Sequence, residues 1–399
     1  MNSLLENLNF DLRINIVFGK DKSATISDYL KENNYSKVMI ITDEGLKKSG
    51  VLTRIFEGLN NNNIVFKVFD EVEPNPKDIT VHNATKIAEE NRVQAVIGIG
   101  GGSSMDTAKA VGILYTNKGE IKDYAGKDKV EKQPLPILCI PTTAGTGSEV
   151  TANAAITSMQ DNYKMSIKSK KIIPKLSILD PELLKTMPPF ICATSSIDAL
   201  THAIEGYLSN KATTFTDMIA IKSIEILSKN IKPFYADPSN TVFASNMLYG
   251  SMLAGIVISE TGTGNAHALA RSLGGKYDIA HGHACAMFLS KVLNFNRLAR
   301  PHKYKVIAKS LGLIDFAKPI KDEEVNKEII EYIESLLDSL SIPKYLYDVG
   351  VSKSSFNDLA KIALKSTGPN PRKTTFDDLL DLLKETYTIN GLKAEMNIR

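Results

Sequence analysis

The stretch VIGIGGGSSMDTAKA at 96–110 decides the fold. An apolar, β-branched run passes straight into Gly100, Gly101, Gly102, Ser103 and Ser104, and the pattern turns helical from about Met105. A buried strand that becomes a helix through residues lacking Cβ leaves the first helical N–H groups open to an anion at close range. Pyrophosphate fits that description. Asp106 falls in the first turn, where it can accept hydrogen bonds or bind a ligand hydroxyl. Lys109 lies one turn below Met105, placed to steady the loop. The glycines do not stand in the GxGxxG register, and the P-loop lysine signature is absent. The phosphate reading therefore rests on three adjacent glycines and two serines, against the plainer alternative of a tight strand–helix connection.

Outward from this turn the first half repeats one pattern. The runs RINIVF (13–18), KVMIIT (37–42), NIVFKVF (63–69), LPILCIP (135–141) and KLSILD (175–180) read as strands separated by helix-length segments. That alternation predicts mostly parallel βαβ units. After about 190 the texture changes to long helical stripes: SSIDALTHAIEGYL (195–208), FTDMIAIKSIEILSKNI (215–231), EVNKEIIEYIESLLDSL and FDDLLDLLKETY (376–387). A chain of 399 residues is too long for one typical core. The expected fold is an α/β dinucleotide-binding domain over 1–190 followed by an all-helical domain over 191–399, with the ligand in the cleft between them.

Two more features sit at strand ends in the first half. PTTAGTGSE at 141–149 offers hydroxyls from Thr142, Thr143, Thr146 and Ser148, while Gly145 and Gly147 keep its backbone accessible. It reads as a loop that wraps a cofactor and borders the substrate mouth, or as a polar loop capped by Ser148. Asp43 follows the strand at 37–42. A carboxylate there can accept from the ribose diol of NAD and repel the 2′-phosphate of NADP, or it can cap a helix beginning DEGL.

The helical half carries a metal-like set. Asp198 and His202, four apart, project from one helix face. His267 and His281 flank a Gly274–Gly275 break that can fold them together. One carboxylate and three imidazoles suit Zn²⁺ or Fe²⁺, although histidines also serve in cores and caps. Glu205, three beyond His202, is placed to hold a ligand imidazole from behind. His283 points away from His281 on a helix, His82 and His302 read as surface or cap residues, and Lys164 reads as a polar group near the cleft.

Composition excludes several classes. Charged residues make up 23% and net charge is +3, too little for a nucleic-acid binder, and the short KSKK at 168–171 reads as a solvated turn. Three cysteines, Cys139, Cys192 and Cys285, with no CxxC pair, argue against a disulfide scaffold. The stretch at 1–15 has no basic start followed by an apolar core, and no run is expected to reach the ~20 apolar residues of a membrane span. A cytoplasmic protein is the expectation.

Together GIGGGSSMDTAKA at 98–110, PTTAGTGSE at 141–149, DALTHAIEGY at 198–207 and NAHALARSLGG with HGHA across 265–284 resemble the iron-containing (group III) alcohol dehydrogenase family over nearly the whole chain. The resemblance implies the dehydroquinate synthase-like arrangement of an α/β nucleotide domain and an all-α metal domain, in a homodimer or larger homo-oligomer. It implies hydride transfer between NAD(H) and a small alcohol or aldehyde, with Fe²⁺, or Zn²⁺ as in relatives, on Asp198, His202, His267 and His281. It implies pyrophosphate at Gly100, Gly101, Gly102 and Ser103, NAD(H) preference from Asp43, and cofactor contacts from Thr142, Thr143 and Thr146. Many members carry a further histidine four residues after the third metal ligand; here that position is Arg271, beside His267 at the expected reacting centre. Arginine stays protonated and is no ordinary proton shuttle. A buried guanidinium requires an anion, either on the substrate or internally from Glu260 or Asp278. Competing expectations are a polyol or polyol-phosphate dehydrogenase, a sugar-phosphate cyclase of the same broad fold, and a noncatalytic nucleotide-binding protein.

Overall fold

The structure is a computed structural model that describes residues 10, 12–160, 163–315 and 320–388. Most of the N-terminal stretch read for a leader lies outside the described residues. Nine strands form among the described residues: β1 (Asn15–Phe18), β2 (Lys37–Ile41), β3 (Val65–Phe69), β4 (Ala95–Gly100), β5 (Gly126–Lys127), β6 (Ile137–Pro141), β7 (Asn153–Ser158), β8 (Tyr163–Lys168) and β9 (Leu176–Leu179). Six of them make one fully parallel sheet in the order β1-β9-β6-β4-β2-β3. The strands are apolar on both faces because both faces are covered. Met39, Ile41, Val96 and Cys139 point to one layer, while Val38, Ile40, Ile97, Ile99, Leu138 and Ile140 point to the other. The helices of this half are α1 (Ile26–Glu32), α2 (Glu44–Lys48), α3 (Thr53–Asn61), α4 (Asp78–Glu90) and α5 (Gly102–Asn117).

Strand β4 is flanked by the earlier strand β2 on one side and the later strand β6 on the other. Crevices outside the carboxyl ends of such central strands are where open α/β sheets bind ligands. Asp43, the glycine turn and the loop at 141–149 all follow the carboxyl ends of these three neighbouring strands.

The three remaining strands form a small separate sheet, β5-β8-β7, in which β7 and β8 are antiparallel. The sequence reading did not anticipate it. KSKK at 168–171 is also more than a solvated turn: Lys168 ends β8, and Lys171 donates to the carbonyls of Val130 (2.7 Å) and Glu131 (2.6 Å).

From Pro189 onward the described residues are helical: α6 (Pro189–Leu208), α7 (Thr214–Ala236), α8 (Thr241–Thr261), α9 (Asn265–Tyr277), α10 (His281–Asn296), α11 (Pro301–Ser310), α12 (Asp322–Ser339), α13 (Phe356–Leu364) and α14 (Phe376–Glu385). The expected α/β half followed by an all-helical half is what the chain forms. Helix α8 departs from one expectation. Its 21 residues, with a window of mean hydropathy 1.5, are long and apolar enough to cross a membrane by length and composition. Here that surface goes into packing. A Cβ on Gly250 would lie 2.8 Å from the Leu227 side chain of α7, and one on Gly206 of α6 would lie 2.5 Å from Val257.

Candidate active site

The glycine turn is tighter than the sequence suggested. Helix α5 begins at Gly102 with Gly101 as its N-cap, three residues before Met105. Gly100 holds φ at 151°, and a Cβ there would lie 2.5 Å from Ser104 Oγ. The helix starts early because Gly100, at a positive φ that favours glycine, turns the chain directly, with no intervening loop. No side chain caps α5, so its first N–H groups face outward from the β4 end as an anion site requires.

Thr142, Thr143 and Thr146 stand beside this turn. Thr142 N donates to Gly100 O (3.0 Å). Cβ atoms built on Gly101 and Gly102 would meet Thr143 at 3.6 Å and Thr146 at 2.8 Å. Asp43 does cap a helix: Oδ1 accepts from Leu46 N (2.8 Å). Its other oxygen faces the turn, 3.7 Å from where a Gly100 Cβ would sit.

Asp106 and Lys109 are committed to structure. Asp106 accepts from Ser148 Oγ (2.6 Å) through one oxygen and from Ala155 N (2.9 Å) through the other. Burial pushes its carboxyl up, while Lys109 and these bonds oppose that. Lys109, fully buried, donates to Ser148 O (2.7 Å), Ser148 Oγ (2.9 Å), Asn153 O (2.7 Å) and Thr151 O (3.1 Å). An ammonium has three donors, and this one is saturated by the loop it steadies.

The same loop reaches across to the helical half. Gly145 O faces His202 Nδ1 at 3.2 Å. A carbonyl can only accept, so Nδ1 carries the proton and Nε2 keeps its lone pair. Burial takes His202 down to about 4.

Asp198, His202, His267 and His281 converge. Asp198 Oδ1 lies 3.3 Å from His267 Nε2, Asp198 Oδ2 lies 4.0 Å from His202 Nδ1, and the rings of His202 and His267 stack at 4.2 Å. The rings of His267 and His281 are 5.4 Å apart. Asp198 Oδ1, His267 Nε2 and His281 Nδ1 are buried without a hydrogen-bond partner. Such atoms are costly unless something else satisfies them, and a divalent cation among one carboxylate and several imidazoles would do so. Burial works against an ionised Asp198, yet His202, His267 and His281 hold it well below the usual carboxylate range. Burial likewise opposes charge on His267, but the neighbouring Cys285, Asp198 and Glu205 outweigh it and raise this imidazole well above its ordinary value. His281 is driven well below its ordinary value by burial.

Glu205 holds the site from behind. It accepts from His267 Nδ1 (2.7 Å), Gly264 N (2.8 Å) and Ala266 N (2.7 Å), so one carboxylate both caps α9 and fixes the ring that α9 carries. His283 is elsewhere, with Nε2 at 2.8 Å from Pro343 O.

Sequence reasoning missed two residues. Gly282 brings the first turn of α10 against α6; a Cβ there would stand 2.4 Å from Thr194 O. Cys285, one turn after His281, joins Asp198, His267 and His281 in the compact group whose donor atoms lie within 4.8 Å of one another, a group that His202 does not join. Its signal was the i, i+4 spacing from His281.

Arg271, one turn after His267, donates to Thr263 Oγ1 (2.5 Å), and among the described residues no carboxylate comes within ion-pair distance. Asp278 is engaged instead by Asn75 Nδ2 (2.8 Å), whose Oδ1 accepts from Lys164 Nζ (2.8 Å). Burial lowers both cations; Asp106 and Asp198 oppose this at Lys164, Glu205 opposes it at Arg271, and the Arg271 charge lowers Lys164 further.

Two family models match in tandem: iron-containing alcohol dehydrogenase over residues 14–181, and the C-terminal part of the Fe-containing alcohol dehydrogenase family over 192–387. The chain belongs to the iron-containing alcohol dehydrogenase family. The chain is 33% identical to a 1,3-propanediol dehydrogenase of Citrobacter freundii over 388 residues, covering 96% of this chain and 98% of that one. A crystal structure of a 1,3-propanediol oxidoreductase superposes with a TM-score of 0.91 at 32% identity, covering 95% of this chain and all of the other. A sulfoacetaldehyde reductase of Bifidobacterium kashiwanohense, crystallised with NAD⁺, superposes with a TM-score of 0.86 at 27% identity, covering 96% of this chain and 100% of that one. As a member of this family the protein is an oxidoreductase of alcohols and aldehydes.

Proposed function

We propose that this enzyme moves hydride between NAD(H) and a small primary alcohol or aldehyde at a divalent metal, Fe²⁺ or Zn²⁺, and that its preferred substrates carry an anionic group. The observation carrying the metal reading is the buried, unpartnered trio Asp198 Oδ1, His267 Nε2 and His281 Nδ1. Asp198, His202, His267 and His281 would hold the ion, which supplies Lewis acidity toward a carbonyl oxygen.

The protein's own residues do the rest. The uncapped start of α5 at Gly101, Gly102 and Ser103 receives pyrophosphate, and Thr142, Thr143 and Thr146 line its approach. Asp43 keeps one oxygen for a ribose hydroxyl while the other caps α2. Its charge disfavours a 2′-phosphate. Asp106, with both oxygens engaged, reaches the cofactor only by keeping the loop at 141–149 in place. Glu205 and Gly145 O orient the imidazoles of His267 and His202. Arg271 cannot shuttle a proton near neutral pH, so that task falls to solvent or to cofactor hydroxyls.

Arg271 and Lys164, two buried cations whose hydrogen bonds go to neutral partners, Thr263 and Asn75, support an anionic substrate. So does the name of the sulfoacetaldehyde reductase relative. Three buried free thiols suit a reducing, cytoplasmic setting. We place the domain division near 190, at the start of α6. A homodimer or larger assembly is expected by resemblance.

The test is NADH oxidation by anaerobically Fe²⁺-loaded enzyme against matched neutral and anionic short-chain aldehydes. A charge-assisted hydrogen bond contributes ~1.5–3 kcal/mol. Arg271→Ala should therefore raise KM for the anionic set by roughly 10–100-fold while barely moving the neutral set. Equal KM values for both sets in the unmodified enzyme refute the anionic preference. Strong turnover of a polyol phosphate would move the reading to the polyol-phosphate dehydrogenases.

A further inference from the structure

We propose that Asn75 is a specificity-determining residue, whose amide stands between Lys164 and Asp278 and leaves the lysine's charge for an anionic group on the substrate. The inference deepens the anionic-substrate reading above and rests on it. Asn75 follows β3 in the α/β half, at a left-handed φ of 52° that asparagine and aspartate tolerate better than other side chains. It is 6% exposed, and its side chain is used at both ends. Oδ1 accepts from Lys164 Nζ (2.8 Å), and Nδ2 donates to Asp278 Oδ1 (2.8 Å). The amide therefore bridges a cation and a carboxylate without neutralising either.

Lys109 and Lys164 are both buried in the α/β half, yet only one of them is satisfied. Lys109 meets Ser148 O, Ser148 Oγ, Thr151 O and Asn153 O. Lys164 donates to Asn75 alone among the described residues, which leaves two of an ammonium's three donors over. A buried charge in that condition is costly until a partner arrives. The surroundings say where the partner would lie. Helix α9 passes so close that a Cβ on Gly274 would stand 3.4 Å from Asn75 Oδ1 and 3.8 Å from Lys164 Cδ. Arg271, three residues before Gly274, shares that face of α9 and bonds only the neutral Thr263 Oγ1. Asp106 on α5 and Asp198 in the metal cluster both act on the Lys164 charge, so this ammonium stands within reach of the cofactor side and of the metal side. An anionic group there would meet two cations whose own partners are uncharged.

A carboxylate swap tests this. Asn75→Asp combined with Asp278→Asn keeps the net charge and the chain of hydrogen bonds from Lys164 to residue 278, with one donor reversed. The carboxylate, however, moves from the far side of the chain into contact with Lys164. Asparagine also suits the positive φ of 53° at position 278. Calorimetric titration of the NAD⁺-saturated, Zn²⁺-loaded enzyme with ethanesulfonate, and with ethyl methyl sulfone as its neutral counterpart, reads the consequence without turnover. The expected result is a wild-type preference for the anion, with ethanesulfonate affinity falling by roughly 10–100-fold in the double variant and sulfone affinity moving far less. Asp278→Asn alone keeps the amide against Lys164 and should bind ethanesulfonate at least as tightly as wild type, which decides even where the double variant folds poorly. Anion affinity that survives the swap, or that falls in Asp278→Asn, overturns the proposal. A wild-type enzyme that binds the two probes equally, or neither, strikes the anionic reading itself and the proposal with it.

Discussion

Gly282→Ala tests whether the approach of α10 to α6 builds the metal cluster. The added Cβ would start 2.4 Å from Thr194 O and 2.9 Å from its carbonyl carbon, where real Cβ atoms essentially never come within 3.0 Å. Both obstacles are helix backbone, so no side chain can swing away. Restoring the 3.4 Å of ordinary contact requires the two helices to part by about 1 Å. His281 precedes the substituted residue and Cys285 follows three positions later, whereas Asp198 and His202 sit on the opposing helix. The displacement therefore opens the space between donors, and metal sites tolerate only about 0.2 Å of error in ligand distance. Overpacking of this kind costs ~1–3 kcal/mol. Metal affinity should fall by at least the ~10–100-fold seen when supporting residues are removed. Metal content after dialysis against graded chelator, with thermal unfolding of apo and loaded protein, gives both numbers. A variant that keeps its metal at wild-type chelator concentrations, with an unchanged Tm, would show that the helix contact does not set the site.

Two further perturbations probe the cofactor half. Lys109→Met leaves Ser148 O, Thr151 O and Asn153 O without their donor and Asp106 without its cation, so it should cost ~3–5 kcal/mol and raise KM for NADH; an unchanged Tm and KM would remove Lys109 from the loop's support. Burial pushes the Glu149 carboxyl from its ordinary 4.5 up to about 7, so the folded protein binds that proton more tightly than the unfolded chain. Its contribution is complete below pH 4.5 and is lost as pH rises through 7, a difference of roughly 3 kcal/mol at most. Glu149→Gln should accordingly raise Tm over wild type at pH 8 and match it near pH 4.5, and a Tm difference that does not change with pH would contradict this.

The parallel sheet was legible because strands buried on both faces are continuous apolar runs, and β4 and β6 carry hardly a polar residue. The convergence of Asp198 with His202 was legible because one helix sets their separation. The antiparallel pair β7–β8 was not. YKMSIK carries two lysines and a serine, and only the packing of Met165 and Ile167 beneath α5 makes it a strand. Gly282 was hidden for a related reason. Its importance lies in what α6 places opposite it, which local periodicity does not encode. The length and apolar character of α8 went unread, and its purpose is visible only in the neighbours that cover it.

The loop at 141–149 touches both the α/β half and the helical half. At one end Thr143 and Thr146 press against the glycine turn, and Ser148 is tied to Asp106 and Lys109. At the other, Gly145 lies against α6 and directs its carbonyl at His202, while Gly147 lies against Gly255 of α8. Added Cβ atoms at Gly145 and Gly147 would come 2.7 Å from Ser195 and 2.5 Å from Gly255. These glycines thus provide closeness, with Gly147 also using its positive φ of 62°. One short segment then fixes the separation between the pyrophosphate-ready turn and the metal donors. In the reading proposed above, hydride transfer needs its two carbon centres held at near contact, and this loop joins the elements that would hold them.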